Sequence, residues 1–265
     1  MQIVGNDLIY GMSVDELPQH GIEFGLFESK RFRLHLHDRA AITPPEKEVI
    51  ASIPYMQGVV DMSKLLGNRI YENREVTYVF YRFGVDKHEP TAQNPHPKNS
   101  SHTARDFQTT IENLLMGEFG QRLDDSYEPD FHYTGKCKEI IVEDEYAFNR
   151  LRVEITFDLY PFKIANHTEA DDLFDPFNFD IDAFHDDLRY NIQGQQRVML
   201  YNASQKVLTP TINSTSNMQI EKDSGEYQIQ SGTRQYPGLR LALGMNELNI
   251  SGSGTVGFDW RKERI

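Results

Sequence analysis

One cysteine, Cys137, stands among 265 residues. It has no intrachain partner, so the sequence carries no disulfide framework of the kind that staples folds in oxidising compartments. Long apolar runs are missing as well. Nowhere do about 18 apolar residues follow one another, and Met1 to Gly11 has no basic region leading into an apolar one, so neither a membrane-spanning helix nor a secretory leader is expected. Basic side chains are few: 27 Lys and Arg stand against 40 Asp and Glu, a net charge of −13. That is the opposite of the basic footprint needed by proteins that wrap nucleic acid or lie on anionic membranes. Synthesis in a reducing cytoplasm follows, and the five Asn-x-Ser/Thr triplets starting at Asn99, Asn166, Asn202, Asn213 and Asn249 read as turns and strand edges rather than glycan sites.

With 16 Phe and 13 Tyr the chain has the means to build a core, and its length suits one large domain or two modest ones. Helical periodicity is confined to residues 103–116, where Ala104, Phe107, Ile111, Leu114 and Leu115 recur at steps of three and four and Gly117 follows as a stop. Elsewhere the apolar period is two. Leu151, Val153, Ile155, Phe157 and Leu159 alternate with polar residues, predicting a half-buried antiparallel strand, and 75–83, 135–142, 197–201, 239–243 and 255–260 read as further strands. Tyr160-Pro161-Phe162 ends the long strand, because Pro161 cannot donate to a ladder. The reading is a mainly β chain with an N-terminal domain over 1–164, β-sandwich-like with one amphipathic helix, and a C-terminal β-sandwich over 165–265. Residues 88–101 read as a surface loop.

Motifs that could carry chemistry fail in context. Gly252-Ser253-Gly254-Thr255-Val256-Gly257 fits G-x-G-x-x-G, but a dinucleotide fingerprint must open a helix, whereas here a strand pattern follows. The glycines read as a turn into the last strand. His35-x-His37 puts two imidazoles on one strand face with Asp38 behind; a third zinc ligand would have to come from His88, His96 or His102, and no H-E-x-x-H or cysteine pair supports it. Residues 169–187 carry eight acidic side chains, including Asp180-x-Asp182, yet Phe177, Phe179 and Ile181 alternate with them as on a solvated strand, and no calcium-loop spacing occurs. Gly11-Met12-Ser13-Val14 meets Asp15 where a nucleophile elbow needs glycine. Cys137 sits between Lys136 and Lys138, which point away from it on a strand, so it reads as a small buried residue. No carboxylate pair is marked out for glycoside cleavage. No catalytic, cofactor or metal residue is therefore assigned, and no enzyme activity is expected.

The segment Ile53-Pro54-Tyr55-Met56-Gln57-Gly58-Val59-Val60-Asp61-Met62-Ser63-Lys64-Leu65-Leu66-Gly67, followed by Tyr71-Glu72-Asn73-Arg74-Glu75-Val76-Thr77-Tyr78-Val79-Phe80, resembles the N-terminal region of distal tail proteins of long-tailed bacteriophages. The resemblance continues through the helix and Tyr160-Pro161-Phe162. It extends to Phe177-Asn178-Phe179-Asp180-Ile181-Asp182, Thr209-Pro210-Thr211-Ile212, Leu243-Gly244-Met245-Asn246-Glu247-Leu248 and Gly252-Ser253-Gly254-Thr255-Val256, close to the whole chain. It implies a structural virion protein, made in the bacterial host and placed at the tail tip or baseplate. Family members form a homo-hexameric ring whose N-terminal domains belt a central channel and whose galectin-like domains project outward. The implied partners are the major tail tube protein on one side, the tail-associated hub protein on the other, and receptor-binding proteins or their adaptors at the periphery. DNA passes through the channel without specific binding, and an acidic lumen would repel its phosphates. Residues 165–265 have room for little beyond the sandwich, which argues against an inserted glycan-binding module.

Two other classes remain for testing: a carbohydrate-binding module for host wall polysaccharide, although the single tryptophan, Trp260, alternates with Val256 and Phe258 as a core residue would, and a metal hydrolase built on His35 and His37. In the tail reading, the Phe107/Ile111/Leu114 stripe packs the helix on the N-terminal sheet.

Overall fold

The structure, a computed structural model, describes residues 8–9, 12–13, 20–48, 50–51, 55, 57–58, 60–61, 69–83, 100–117, 120–148, 150–170 and 188–265. The chain divides into two compact units, Met1–Pro161 and Phe162–Ile265. It is mainly β, and no helix among the described residues is long and apolar enough to cross a membrane.

Strands of the first unit are β1 (Leu8–Ile9), β2 (Met12–Ser13), β3 (Ile22–Phe24), β4 (Phe27–Glu28), β5 (His35–Ala41), β6 (Ile50–Ala51), β7 (Val60–Asp61), β8 (Arg74–Phe83), β9 (Gln121–Asp125), β10 (Phe131–Glu145) and β11 (Arg150–Leu159), with helix α1 (Ser100–Leu115) between β8 and β9. β1 pairs with β2 and β6 with β7; the others form an antiparallel sheet in the order β4-β3-β9-β10-β11-β8-β5. The period-two pattern is what aligns them. Val153 lies opposite Phe80, Ile155 opposite Tyr78 and Phe157 opposite Val76, all fully buried, so each rung adds apolar surface to one face.

This sheet is strongly curled. Phe24 of β3 and Phe157 of β11 have ring centroids 5.1 Å apart, although β9 and β10 lie between those strands and a flat sheet would separate them by about 14 Å. Strand twist carried over seven strands brings the two sides face to face across one core. Helix α1 closes that core with Ala104, Phe107, Ile111 and Leu115. It starts at Ser100, three residues before the periodicity becomes visible. Leu115, rather than the expected Leu114, completes the stripe, because it lies one turn beyond Ile111 on the buried face while Leu114 sits half-buried on the flank.

The second unit contains β12 (Lys163–Ala165), β13 (Arg189–Asn202), β14 (Thr211–Ser214), β15 (Met218–Lys222), β16 (Gly225–Ile229), β17 (Gly232–Gln235), β18 (Gly244–Asp259) and β19 (Glu263–Arg264). Its organiser is β18. One edge of β18 is covered along its length by β13, while the other is shared between β15, paired at 249–252, and β14, paired at 256–259. The partners change at Gly252 and Gly254, whose φ values of +151° and +138° few side-chain-bearing residues adopt. Leu248 and Ile250 before the bend and Val256 and Phe258 after it belong to one buried cluster with Ile192, Leu200, Ile212 and Ile220. The ribbon therefore folds toward its apolar face and builds a core from its own two halves.

The G-x-G segment is thus a bend inside one long strand, not a turn before a short one. Expected strands 75–83, 135–142 and 151–159 lie within β8, β10 and β11, and 197–201 is the C-terminal part of a β13 of 14 residues. Residues 239–243 are not a strand: Leu239 and Leu241 are buried, but only Leu241 pairs, in a single bridge with Leu208.

Candidate functional site

The residues singled out by motif do not converge. β5 carries a bulge between Leu36 and Asp38, so His35 and His37 do not share one regular face; His35 packs against Phe83 with centroids 5.5 Å apart and His37 against Tyr81 at 4.8 Å. Among the described residues no group of three or more His, Cys, Asp or Glu is arranged to hold a metal ion. Cys137 is buried, its thiol pushed up to about 11 by burial, while Lys136 pairs with Asp158 and Lys138 with Glu75. His102 falls in α1. His88, His96, Asp180 and Asp182 lie outside the described residues, as do most of 53–67 and residues 88–99 of the expected loop 88–101, whose last two residues, Ser100 and Ser101, belong to α1.

The β5 bulge has a consequence that local pattern hides. An extra residue reverses the alternation, so inward positions switch from Leu34 and Leu36 to Arg39. Arg39 then enters the core face opposite Tyr78 and meets Asp125, at the end of β9, with Nε 2.5 Å from Oδ2. The carboxylate is fully buried. It also accepts from the Tyr78 hydroxyl at 2.8 Å and from the Tyr127 N–H at 2.9 Å. Arg39 further donates to the Tyr133 hydroxyl at 3.2 Å, which donates to Glu128 at 2.6 Å. Burial together with the carboxylates raises both phenols above the ordinary tyrosine value and holds them protonated. This cluster ties the two sides of the curled sheet together. Its members are bonded to one another around a buried carboxylate, the arrangement of a structural clamp.

In the second unit a cleft of about 610 Å³ opens beside the start of β14. Its floor is one lateral row: Thr211 lies opposite Gln235 of β17 on one side and opposite Asp259 of β18 on the other. Cross-strand partners project from the same face, and Gln235 Nε2 donates to Thr211 Oγ1 at 3.0 Å. Asp259 Oδ1 is buried and has no hydrogen-bond partner among the described residues. One wall carries Lys206, bound to Glu263 at 2.8 Å, and another Arg261, which donates to the carbonyls of Ala165 (3.0 Å) and Asn166. Trp260, 6% exposed, anchors the cleft to the core. Sequence reading noticed Trp260 but not the row, whose members come from three separate strands.

No family model and no curated relative matches the chain. Among solved structures, the crystal structure of the Dit protein (gp 19.1) of phage SPP1 matches with a TM-score of 0.57 at 13% identity, covering 91% of this chain and 98% of that one. The fold is Dit-like. SPP1 Dit is described as a paradigm of the hub adsorption apparatus in phages that infect Gram-positive hosts. At this identity the correspondence shows the fold and carries no residue-level assignment.

Proposed function

We propose that the chain is a structural component of a phage tail, a distal tail protein that joins the tail tube to the hub and host-adsorption apparatus. The observation that carries this reading is the Dit-like fold over nearly the full length of both chains. The resemblance read from residues 53–80 leads to the same family. In this reading six copies form a ring, the first units belt the channel, and the second units, galectin-like, face outward. The tube protein docks on one side, the hub protein on the other, and receptor-binding proteins or adaptors attach at the rim.

Two features suit assembly, one of the first unit and one of the whole chain. The sheet, among the described residues, ends in β4 and β5, and next to these strands lie exposed apolar side chains, Leu26 at 75% and Ile42 at 64%. Sheet ends and apolar rim residues are what a head-to-tail ring contact uses. A net charge of −13 per copy keeps a channel of several copies from holding DNA. Mass measurement in solution tests the proposal: a hexamer is expected, alone or with the hub partner. A persistent monomer that never enters tail particles refutes it.

A further inference from the structure

We propose that Arg33 and Arg82 together form a docking point for a carboxylate side chain of a partner protein. In a chain with 40 acidic residues, Arg39, Arg69, Arg122, Arg150, Arg152 and Arg197 each hold a carboxylate. Arg33 and Arg82 hold none among the described residues, although each lies within the other's field. Their placement follows from the segment that joins the two ends of the sheet. β4 leads through the buried Ser29 into a single helical turn, Lys30–Phe32, and β5 starts at His35, paired with Tyr81, so this turn runs beside Arg82, the next residue of β8. Phe32 packs inward: its ring stacks on Phe27 at 5.5 Å and meets Phe107 edge-on at 6.2 Å. Lys30, Arg31 and Arg33 stay exposed. Arg33 closes the turn, its N–H donating to the Lys30 carbonyl at 2.9 Å, with φ +55°, a left-handed conformation that ordinarily selects glycine or asparagine. Arg82 is half-buried, its guanidinium 4.5 Å from the Phe107 ring centroid.

Neither placement helps folding. A partly desolvated cation beside a second cation is unfavourable until an anion joins them, and burial, followed by the charge of Arg33, holds the Arg82 guanidinium below its ordinary value. An arginine in the left-handed region adds backbone strain. The same features prepare the pair for an anion. Guanidinium forks grip a planar carboxylate bidentately, and Arg82 is already fixed against an aromatic ring. The surroundings select a protein as the source of that carboxylate. Leu26, 75% exposed, precedes Phe27, whose ring belongs to the same aromatic stack, and so gives a partner an apolar side chain to bury. An apolar anchor accompanied by arginine is the composition of a protein interface. A nucleic acid would need a long run of cations and would approach a chain of net charge −13, whereas one carboxylate needs only the local pair.

The inference stands apart from the tail reading, because its test uses the purified full chain and no tail component. The chain is titrated with capped hexa-L-glutamate, with hexa-L-glutamine as the uncharged control and hexathymidylate and sodium pyrophosphate as phosphate probes, and binding is read by ligand-observed NMR. Salt is held at about 100 mM, so that the overall charge is screened beyond about 10 Å and the local site decides. Hexaglutamate is expected to bind with Kd of about 1 mM or tighter, weakened about tenfold in both Arg82→Met and Arg33→Gly, while hexaglutamine does not bind. Arg234→Gln, at an exposed arginine of the second unit, leaves the affinity unchanged. Met keeps an unbranched stem against Phe107, and Gly relieves the left-handed backbone, so both variants hold the 222 nm urea midpoint at or above the wild-type value. The proposal is overturned if hexaglutamate fails to bind at about 10 mM, if binding survives both substitutions, if a phosphate probe binds more tightly than hexaglutamate, or if both variants lower the midpoint, which would make the two arginines structural.

Discussion

Replacing Asp125 with Ala removes the centre of the clamp in the first unit, and the structure sets the size of the loss. Asp125 has a fully buried side chain, and that of Arg39 is only 18% exposed. Breaking a buried ion pair costs about 3–5 kcal/mol, much of it from the group left behind. Arg39 keeps Glu128 at 3.3 Å and the Tyr133 hydroxyl at 3.2 Å, which puts Asp125→Ala at the lower end of that range. Arg39→Met leaves a carboxylate inside the core with no cation and should cost more, about 4–5 kcal/mol. Tyr78→Phe removes one donor to a charged acceptor, about 1.5–3 kcal/mol. Urea unfolding of the full chain separates the units: the 222 nm signal follows α1 in the first, and Trp260 fluorescence follows the second. With slopes of about 1–3 kcal/mol per molar, a 3 kcal/mol loss lowers the midpoint by about 1–3 M. The double variant Arg39→Met/Asp125→Leu should lose much less than the single variants Arg39→Met and Asp125→Leu together, because an apolar pair leaves no stranded charge. A loss under about 1 kcal/mol for Asp125→Ala, or full additivity in the double variant, would show that the clamp does not hold the sheet.

The remaining predictions use the same two signals. Phe107→Ala opens the α1 contact against the core and should cost about 3–5 kcal/mol in the 222 nm transition; wild-type stability would refute the packing. Gly254→Ala would put a Cβ 2.6 Å from Ser216 Oγ on a backbone at φ +138°, costing about 1–3 kcal/mol in the Trp260 transition. Gly257→Ala, whose Cβ would meet Arg189 Cγ at an ordinary 3.5 Å, should change little. Alkaline pH should destabilise the first unit. Tyr78 and Tyr133 hold their protons more tightly folded than unfolded, where tyrosine titrates near 10. Their contribution is therefore complete below about pH 10 and is lost as pH rises through the raised folded values. Urea midpoints between about pH 8 and 11 check this, and Tyr133→Phe should flatten the fall.

What was legible in the sequence was written in faces, and what was hidden was written in rungs. β11 could be read because its apolar residues keep a period of two from Leu151 to Leu159, and β8 because its burial alternates from Arg74 to Phe80, so a single strand shows which side is buried. Helix α1 could be read for the same reason at a period of 3.6, with only the choice between Leu114 and Leu115 left to the angle of packing. Arg39 could not. Its inward direction depends on one extra residue at His37, and nothing in the composition of His35–Ala41 marks a bulge. The first half of β13 was missed because Gln193, Gly194, Gln195 and Gln196 carry no apolar signal, and it is a strand because β18 supplies its ladder. Gly252 and Gly254 looked like a turn because glycine is equally at home in a turn and in a bent strand; only the change of partner from β15 to β14 distinguishes the two. The cleft extends this reasoning. Its row of Gln235, Thr211 and Asp259 exists only through the lateral register of three strands, and no one of those strands has a motif in its own sequence. A row assembled across rungs is invisible to any reading that moves along the chain, because its members become neighbours only through the pairing of separate strands.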